Sequence, residues 1–164
     1  GIVLAVVTLL SSVMPTFAAT TQDITVTATG EFVSFSSNAS NYNFGTVATS
    51  STTNTSAGWA LLTNTSSVST NISVKMLAGT WTSTGAGWTH SDTAAGANTA
   101  AMKVATGNTS TWQTSSFITT AGVNLVTSLA ANTNYITGLS LLAPTSFTDG
   151  ATNNNTIRLT IVAQ

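Results

Sequence analysis

One histidine, His90, and four acids, Asp23, Glu31, Asp92 and Asp149, are all that this 164-residue chain offers toward acid–base or metal chemistry. His90 and Asp92 stand two apart, a spacing that on a strand sends both side chains to the same face. A metal site normally takes three or four ligands, and no further acid or histidine lies near these two in sequence. A Ser-His-Asp arrangement would combine His90 with Asp92 or Asp149 and one of 21 serines, but no G-x-S-x-G turn singles out a nucleophile. His90 is therefore expected to be a surface or packing residue. Asp92 and Asp149 are expected to cap turns rather than hold calcium. Gly85-Ala-Gly87 is not followed by a helical pattern, so it does not read as a phosphate loop. With no cysteine, thiolate sites and disulfides are excluded. The expectation is a protein that is not an enzyme and has no cofactor and no metal.

The four tryptophans admit a second kind of chemistry. Trp81, Trp88 and Trp112 lie in or beside polar, glycine-bearing segments, where exposed indoles could stack on sugars. Packing within a sandwich end or an interface is the expectation we favour. Trp59 falls in an apolar run and is expected in the core.

Composition narrows the setting. Charged residues are 4% of the chain, against about 25% in ordinary soluble proteins. The cations are Lys75, Lys103 and Arg158, and the net charge is −1. Nucleic-acid binding, which needs several phosphate contacts from Lys or Arg, is excluded as an expectation, as is electrostatic docking on an anionic membrane. In place of charge there are 35 Thr, 21 Ser and 14 Asn. So uncharged a surface suits an assembled polymer or a sugar-coated protein better than a dispersed one. Six Asn-x-Ser/Thr sequons, at Asn38, Asn54, Asn64, Asn71, Asn108 and Asn154, are candidate N-glycosylation sites for covalent glycans.

These residues must be carried by strands. Residues 24–28, 59–64, 70–76, 100–104, 111–118, 134–142 and 156–162 are apolar runs, most alternating with period two and separated by turn clusters of Asn, Gly, Ser and Thr. Residues 31–35 continue the first run across a bend at Gly30, and residues 125–131 read as a strand end or one helical turn. Residues 79–98 read as loop and 144–155 as a long turn. About eight short strands without an amphipathic helix between them predict a mainly β chain, an antiparallel β-sandwich over residues 24–164. The last two strands are expected to pair with each other as a hairpin. The stretch Tyr42-Asn-Phe-Gly-Thr-Val47, followed by Leu62-Thr-Asn-Thr-Ser66 and Asn71-Ile-Ser-Val74, resembles Ig-like sandwich modules with an F-G-x-V, L-x-N-x-G pattern. Here Ser66 stands where that pattern has Gly. The resemblance covers about forty residues and implies fold, not chemistry.

The chain begins with a segment unlike the rest, Gly1-Ile-Val-Leu-Ala-Val-Val-Thr-Leu-Leu-Ser-Ser-Val-Met-Pro-Thr-Phe-Ala18, uncharged and apolar nearly throughout. As a helix these residues would span roughly 27 Å, slightly short of a bilayer core. Its end, Thr16-Phe-Ala18, fits a secretory cleavage pattern, but no basic stretch precedes it. The expectation is a retained segment trimmed of a basic leader, with residues 1–19 a hydrophobic assembly helix and residues 20–23 a hinge. Together with the uncharged sandwich, this resembles the type IV pilin-like subunits of archaeal-type surface filaments. That resemblance implies an extracellular, cell-surface adhesion filament, a helical homopolymer whose only partner is itself, with membrane contact only before assembly. It assigns polymerisation to Ile2, Val3, Leu4, Val6, Val7, Leu9, Leu10, Val13 and Met14. Two departures stand out: Ala5 where bacterial members have Glu, and Pro15, which ends or kinks the helix early. The alternatives are a fibre in which residues 2–10 insert as a donor strand into a neighbour, and a secreted monomeric carbohydrate-binding sandwich with residues 1–18 as a signal peptide. A membrane-tethered protein with one short span is a third.

Overall fold

Strong period-two alternation produces the clearest strands. A computed structural model describes residues 25, 27–108, 110–112 and 114–164. The expected assembly helix, the hinge and all the polymerisation residues from Ile2 to Met14 lie outside the described residues. The described chain folds as β1 (Phe35–Ser37), β2 (Thr52–Asn54), β3 (Ala60–Asn64), β4 (Thr70–Met76), β5 (Thr82–Ser83), β6 (Thr89–Ser91) and β7 (Thr99–Thr106). There follow β8 (Thr114–Phe117), β9 (Val123–Leu129), β10 (Asn134–Thr137), β11 (Leu139–Leu142), β12 (Asn153–Asn154) and β13 (Ile157–Ala163). Among the described residues there is no α-helix, and no helix is long and apolar enough to cross a membrane.

β4 shows why the chain takes this form. Thr70, Ile72, Val74 and Met76 are buried, while Asn71, Ser73 and Lys75 are half-exposed on the other face. One face therefore meets a core and the other meets water, as an antiparallel sheet allows. β4 lies at the centre of the sheet β13-β4-β9, antiparallel on both sides. Opposite it run the ladders β1-β3-β10 and β2-β11-β7-β6, with β8 on β7. Leu62, Ile72, Val74, Val104, Leu125, Tyr135 and Leu141 join one apolar cluster fed by every one of these sheets, which makes the arrangement sandwich-like. β7 is buried along both faces, through Ala100, Ala101, Met102, Val104 and Ala105.

Several expectations are corrected. The last two strands do not form a hairpin: β11 pairs with β2 and β7, while β13 pairs with β4 in another sheet. The run at residues 134–142 is not one strand. It divides at Gly138, where the backbone passes so close to Ser56 that a Cβ would lie 2.5 Å from its carbonyl oxygen. β10 then pairs with β3 and β11 with β2. Residues 79–98 are not all loop, since they hold β5 and β6, and the long turn at 144–155 contains β12, which pairs with β5. The sheets are not purely antiparallel either, because β6 runs parallel to β7. Of residues 125–131, those from Leu125 to Leu129 are strand, as part of β9, and the last two lie in the turn beyond it. The strand expected at 24–28 is not formed by its described members: Thr25 and residues 27–30 are exposed and lie outside every strand.

The L-x-N-x-S stretch works as a structural node. Leu62 is fully buried, and Asn64 continues the same inward phase of β3. The Ser66 hydroxyl accepts from the Ser34 N–H at 2.8 Å and donates to the Ser34 carbonyl at 2.9 Å. Ser66 thus ties the entry of β1 to the turn after β3.

Candidate functional site

β13 stands at the edge of its sheet, paired with β4 on one side only. The bonds at the ends of that ladder set its phase: Leu77 N–H donates to the Thr156 carbonyl, and Gln164 N–H to the Ser69 carbonyl. Arg158, Thr160 and Val162 therefore exchange hydrogen bonds with β4, and the amides and carbonyls of Ile157, Leu159, Ile161 and Ala163 point the other way. Among the described residues these outward groups have no hydrogen-bond partner. On the same odd-numbered positions Ile157, Leu159 and Ile161 turn their side chains toward the core yet remain only half-buried.

Beside this edge the sandwich is open. A cavity of about 790 Å³ lies between residues 40–47 on one side and residues 149–157 on the other, over Met76, Met102, Leu139 and Leu141. A second cavity of about 120 Å³, bounded by Ser37, Ala39, Ile157 and Leu159, shares Ser40, Trp59, Leu139 and Ile157 with the first. The two adjoin as one groove beside the start of β13, at Ile157 and Leu159. Its far wall carries an aromatic cluster in edge-to-face contact, Tyr42 against Phe44 with ring centroids 4.9 Å apart and against Trp59 at 5.4 Å. Both Phe44 and Trp59 are half-buried.

The tryptophans do not form an exposed platform. Trp81 and Trp88 are buried, at 8% and 7% exposure, with centroids 5.7 Å apart and planes inclined by 59°. Trp88 also meets Phe147 at 5.8 Å. Both line the larger cavity, and neither indole N–H finds a partner among the described residues. Trp112 is half-buried elsewhere and donates from Nε1 to the Thr55 carbonyl at 3.0 Å.

His90 is packed, with its side chain fully enclosed. Its Nε2 lies 2.9 Å from the Ile118 carbonyl oxygen, a contact that places the proton on Nε2, and 3.3 Å from Asp92 Oδ1. Asp92 in turn accepts from the Thr120 N–H and hydroxyl at 3.0 and 3.2 Å. The pair therefore fastens β6 to the turn beyond β8. Among the described residues no serine hydroxyl hydrogen-bonds His90 and no cluster of three potential metal ligands occurs.

Asp149 sits apart from Asp92 and caps a different loop. Its two oxygens accept from the Ala86 N–H at 2.8 Å and the Ala151 N–H at 3.1 Å. These two bonds, Ala86 first, hold its pKa below the usual carboxylate value against a small opposing effect of desolvation. The sign follows from linkage. A depressed folded-state pKa contributes stability that is present above the unfolded value and lost as pH falls through the lowered one. Thermal midpoints measured from neutral pH down through the carboxylate range should fall for the parent chain and fall less for Asp149→Asn. Parallel curves would show that this carboxylate adds nothing to acid sensitivity.

The sequons separate by burial. Asn38, Asn54, Asn108 and Asn154 are exposed and Asn71 is half-buried on the outer face of β4. Asn38, Asn71 and Asn108 use only Oδ1 in the described bonds, accepting from Leu61, Ser128 and Ile136 N–H groups. Asn64 differs. It has no exposed surface, and its Nδ2 donates to the carbonyls of Val68, Leu129 and Ala130. A glycan on that nitrogen is incompatible with this fold. The inward phase of Ala60, Leu62 and Asn64 is the sequence signal that separates it from the other five.

Comparison with protein-family models, with characterised proteins and with solved structures found no match to the chain.

Proposed function

We propose that this chain is a structural subunit of an extracellular filament, a pilin-like protein whose hydrophobic amino-terminal segment joins each subunit to the next. The observation that carries the reading is a domain left unfinished along one flank, with the unpaired edge of β13 over a partly filled groove, in a chain that also carries an apolar segment at residues 1–18. A monomer displaying both would expose apolar surface that association removes from water. The Thr-, Ser- and Asn-rich composition, nearly free of charge, suits the exterior of such a polymer, and the five sequons other than Asn64 leave room for glycans there. The Ig-like and type IV pilin-like resemblances belong to this proposal. The burial of Trp81 and Trp88 speaks against the sugar-platform alternative.

The energetics are adequate. Burial of the large side chains between Ile2 and Met14 is worth on the order of 15–30 kcal/mol gross per subunit, enough to hold a polymer without cofactor or covalent link. Contacts that join unlike surfaces and do not close generate a helical filament. Leu9→Asp or Leu10→Asp should abolish filaments in negative-stain micrographs while leaving the β signal in circular dichroism unchanged. Normal filaments from either variant would overturn the assignment of residues 2–14 to polymerisation.

A further inference from the structure

The edge of β13 accepts a strand of a particular kind. The outer face of its sheet is polar, with Asn71, Ser73 and Lys75 on β4 and Arg158 and Thr160 on β13 itself, whereas the inner face ends in the half-buried row Ile157, Leu159 and Ile161. A strand added here must alternate, apolar toward the groove and polar toward water. Residues 2–10 do not alternate in this way, being apolar at nearly every position. Residues 24–29 do: Ile24, Val26 and Ala28 fall on one face, and Thr25, Thr27 and Thr29 on the other.

The described members of that stretch, Thr25 and residues 27–30, are exposed and make no described hydrogen bond. Among the described residues hydrogen bonding starts at Phe32, whose N–H donates to the Ser67 hydroxyl and whose carbonyl accepts from the Ser67 N–H. Among the described residues the chain thus shows an exposed stretch without hydrogen bonds, at Thr25 and residues 27–30, and an unpaired strand edge, two unlike surfaces. We propose that residues 24–28 of a second copy pair with the outward amides and carbonyls of β13 and set Ile24, Val26 and Ala28 into the groove. The joint rests on the filament reading and changes its partition: residues 1–14 form the apolar contact, and residues 24–28 stitch one sandwich to the next. A strand in this position also covers the flank over Met76, Met102 and Leu139. The chain's own segment reaches the same edge only by turning back within residues 29–31 and running parallel to β13, the slightly less stable pairing.

Because the chain has no cysteine, engineered thiols report this joint without background. Opposed residues on paired strands bring their Cβ atoms to about 4.5–5.5 Å, near the reach of a disulfide. Full-length Thr27→Cys is mixed with full-length Thr160→Cys, one of them enlarged by a tag so that mixed dimers separate on a gel, and then oxidised. Arg158→Cys, Thr25→Cys and Thr29→Cys bracket the register, and Ser115→Cys on the remote strand β8 serves as the control. The expected result is a reductant-sensitive mixed dimer for at least one pairing with β13, at several-fold the yield with Ser115→Cys. Linkage found only within single chains of the double variant Thr27→Cys/Thr160→Cys would show that the chain closes its own groove and would overturn the proposal. Yields no higher than the control for every pairing would also overturn it. Electron microscopy of the unmodified chain reads the other claim separately. Filaments without β13 linkage leave the filament reading standing and remove this joint, and linkage without filaments does the reverse.

Discussion

Asn64→Ala should lower the free energy of unfolding by about 3–5 kcal/mol, enough to unfold much of a marginally stable domain. The amide is fully enclosed, and its Nδ2 serves carbonyls from two segments: Val68 at 3.0 Å in the turn after β3, and Leu129 and Ala130 at 2.8 and 3.1 Å at the end of β9. Its Oδ1 accepts from the Ser66 N–H at 2.9 Å. Alanine leaves that N–H and the Val68 and Leu129 carbonyls without this partner, while the Ala130 carbonyl keeps its bonds from the Thr133 N–H and hydroxyl, and each buried group left unsatisfied costs about 1–3 kcal/mol. A void is added where the amide stood. Asn64→Asp is expected to be at least as damaging, because a carboxylate cannot donate and would face carbonyl oxygens. Urea denaturation of both variants measures the effect, and a loss below about 1 kcal/mol for Asn64→Ala would mean that the freed groups find partners elsewhere.

The second large effect is expected at Gly138. The β10–β11 break brings this residue against the segment between β2 and β3, so that a Cβ would stand 2.5 Å from the Ser56 carbonyl oxygen, 2.8 Å from Thr55 Oγ1 and 3.0 Å from Ala57 Cα. Two of these atoms are backbone and cannot rotate aside. The contact is also bonded, with the Leu139 N–H donating to Thr55 Oγ1 and the Thr55 N–H to the Leu139 carbonyl, both at 2.8 Å. Gly138→Ala must push the two segments apart and stretch those bonds, at a cost of about 1–3 kcal/mol or more. Gly30→Ala is the matched control, since nothing lies within 4 Å of a Cβ there, and it should leave the denaturation midpoint unchanged. Equal midpoints for the two variants would refute the steric argument.

The sequence carried the strands that pattern themselves and little of what joins them. Residues 70–76 and 156–162 alternate cleanly and became β4 and β13, because period two is a local property. Which neighbour each strand takes is not local, so the expected hairpin between the last two strands failed, the run at 134–142 having split into β10 and β11 with partners other than β13. β5, β6 and β12 were illegible for another reason. Two or three residues are too few to show a period, and such strands persist only where a partner holds them. Of the candidate residues, the capping by Asp92 and Asp149 followed from residue type, whereas His90 was legible only as a surface or packing residue and the fold decides for packing. The groove had no signature at all. It is a missing neighbour beside β13, and an absence in three dimensions leaves no mark on one strand's alternation.

Among the described residues the first hydrogen-bonded one, Phe32, attaches at Ser67, and the last, Gln164, attaches at Ser69. Phe32 and the end of β13 thus lie at the same end of the sandwich. In a polymer joined along β13, tension enters one subunit near Phe32 and leaves through the strand on its flank, along the strand axes. Antiparallel hydrogen bonds lie across that direction, so the seven-residue ladder between β13 and β4 is loaded in shear. Its bonds must then yield together rather than one at a time, as they would in peeling. A domain held by small polar side chains and one narrow core can in this way resist pulling far better than its modest chemistry suggests.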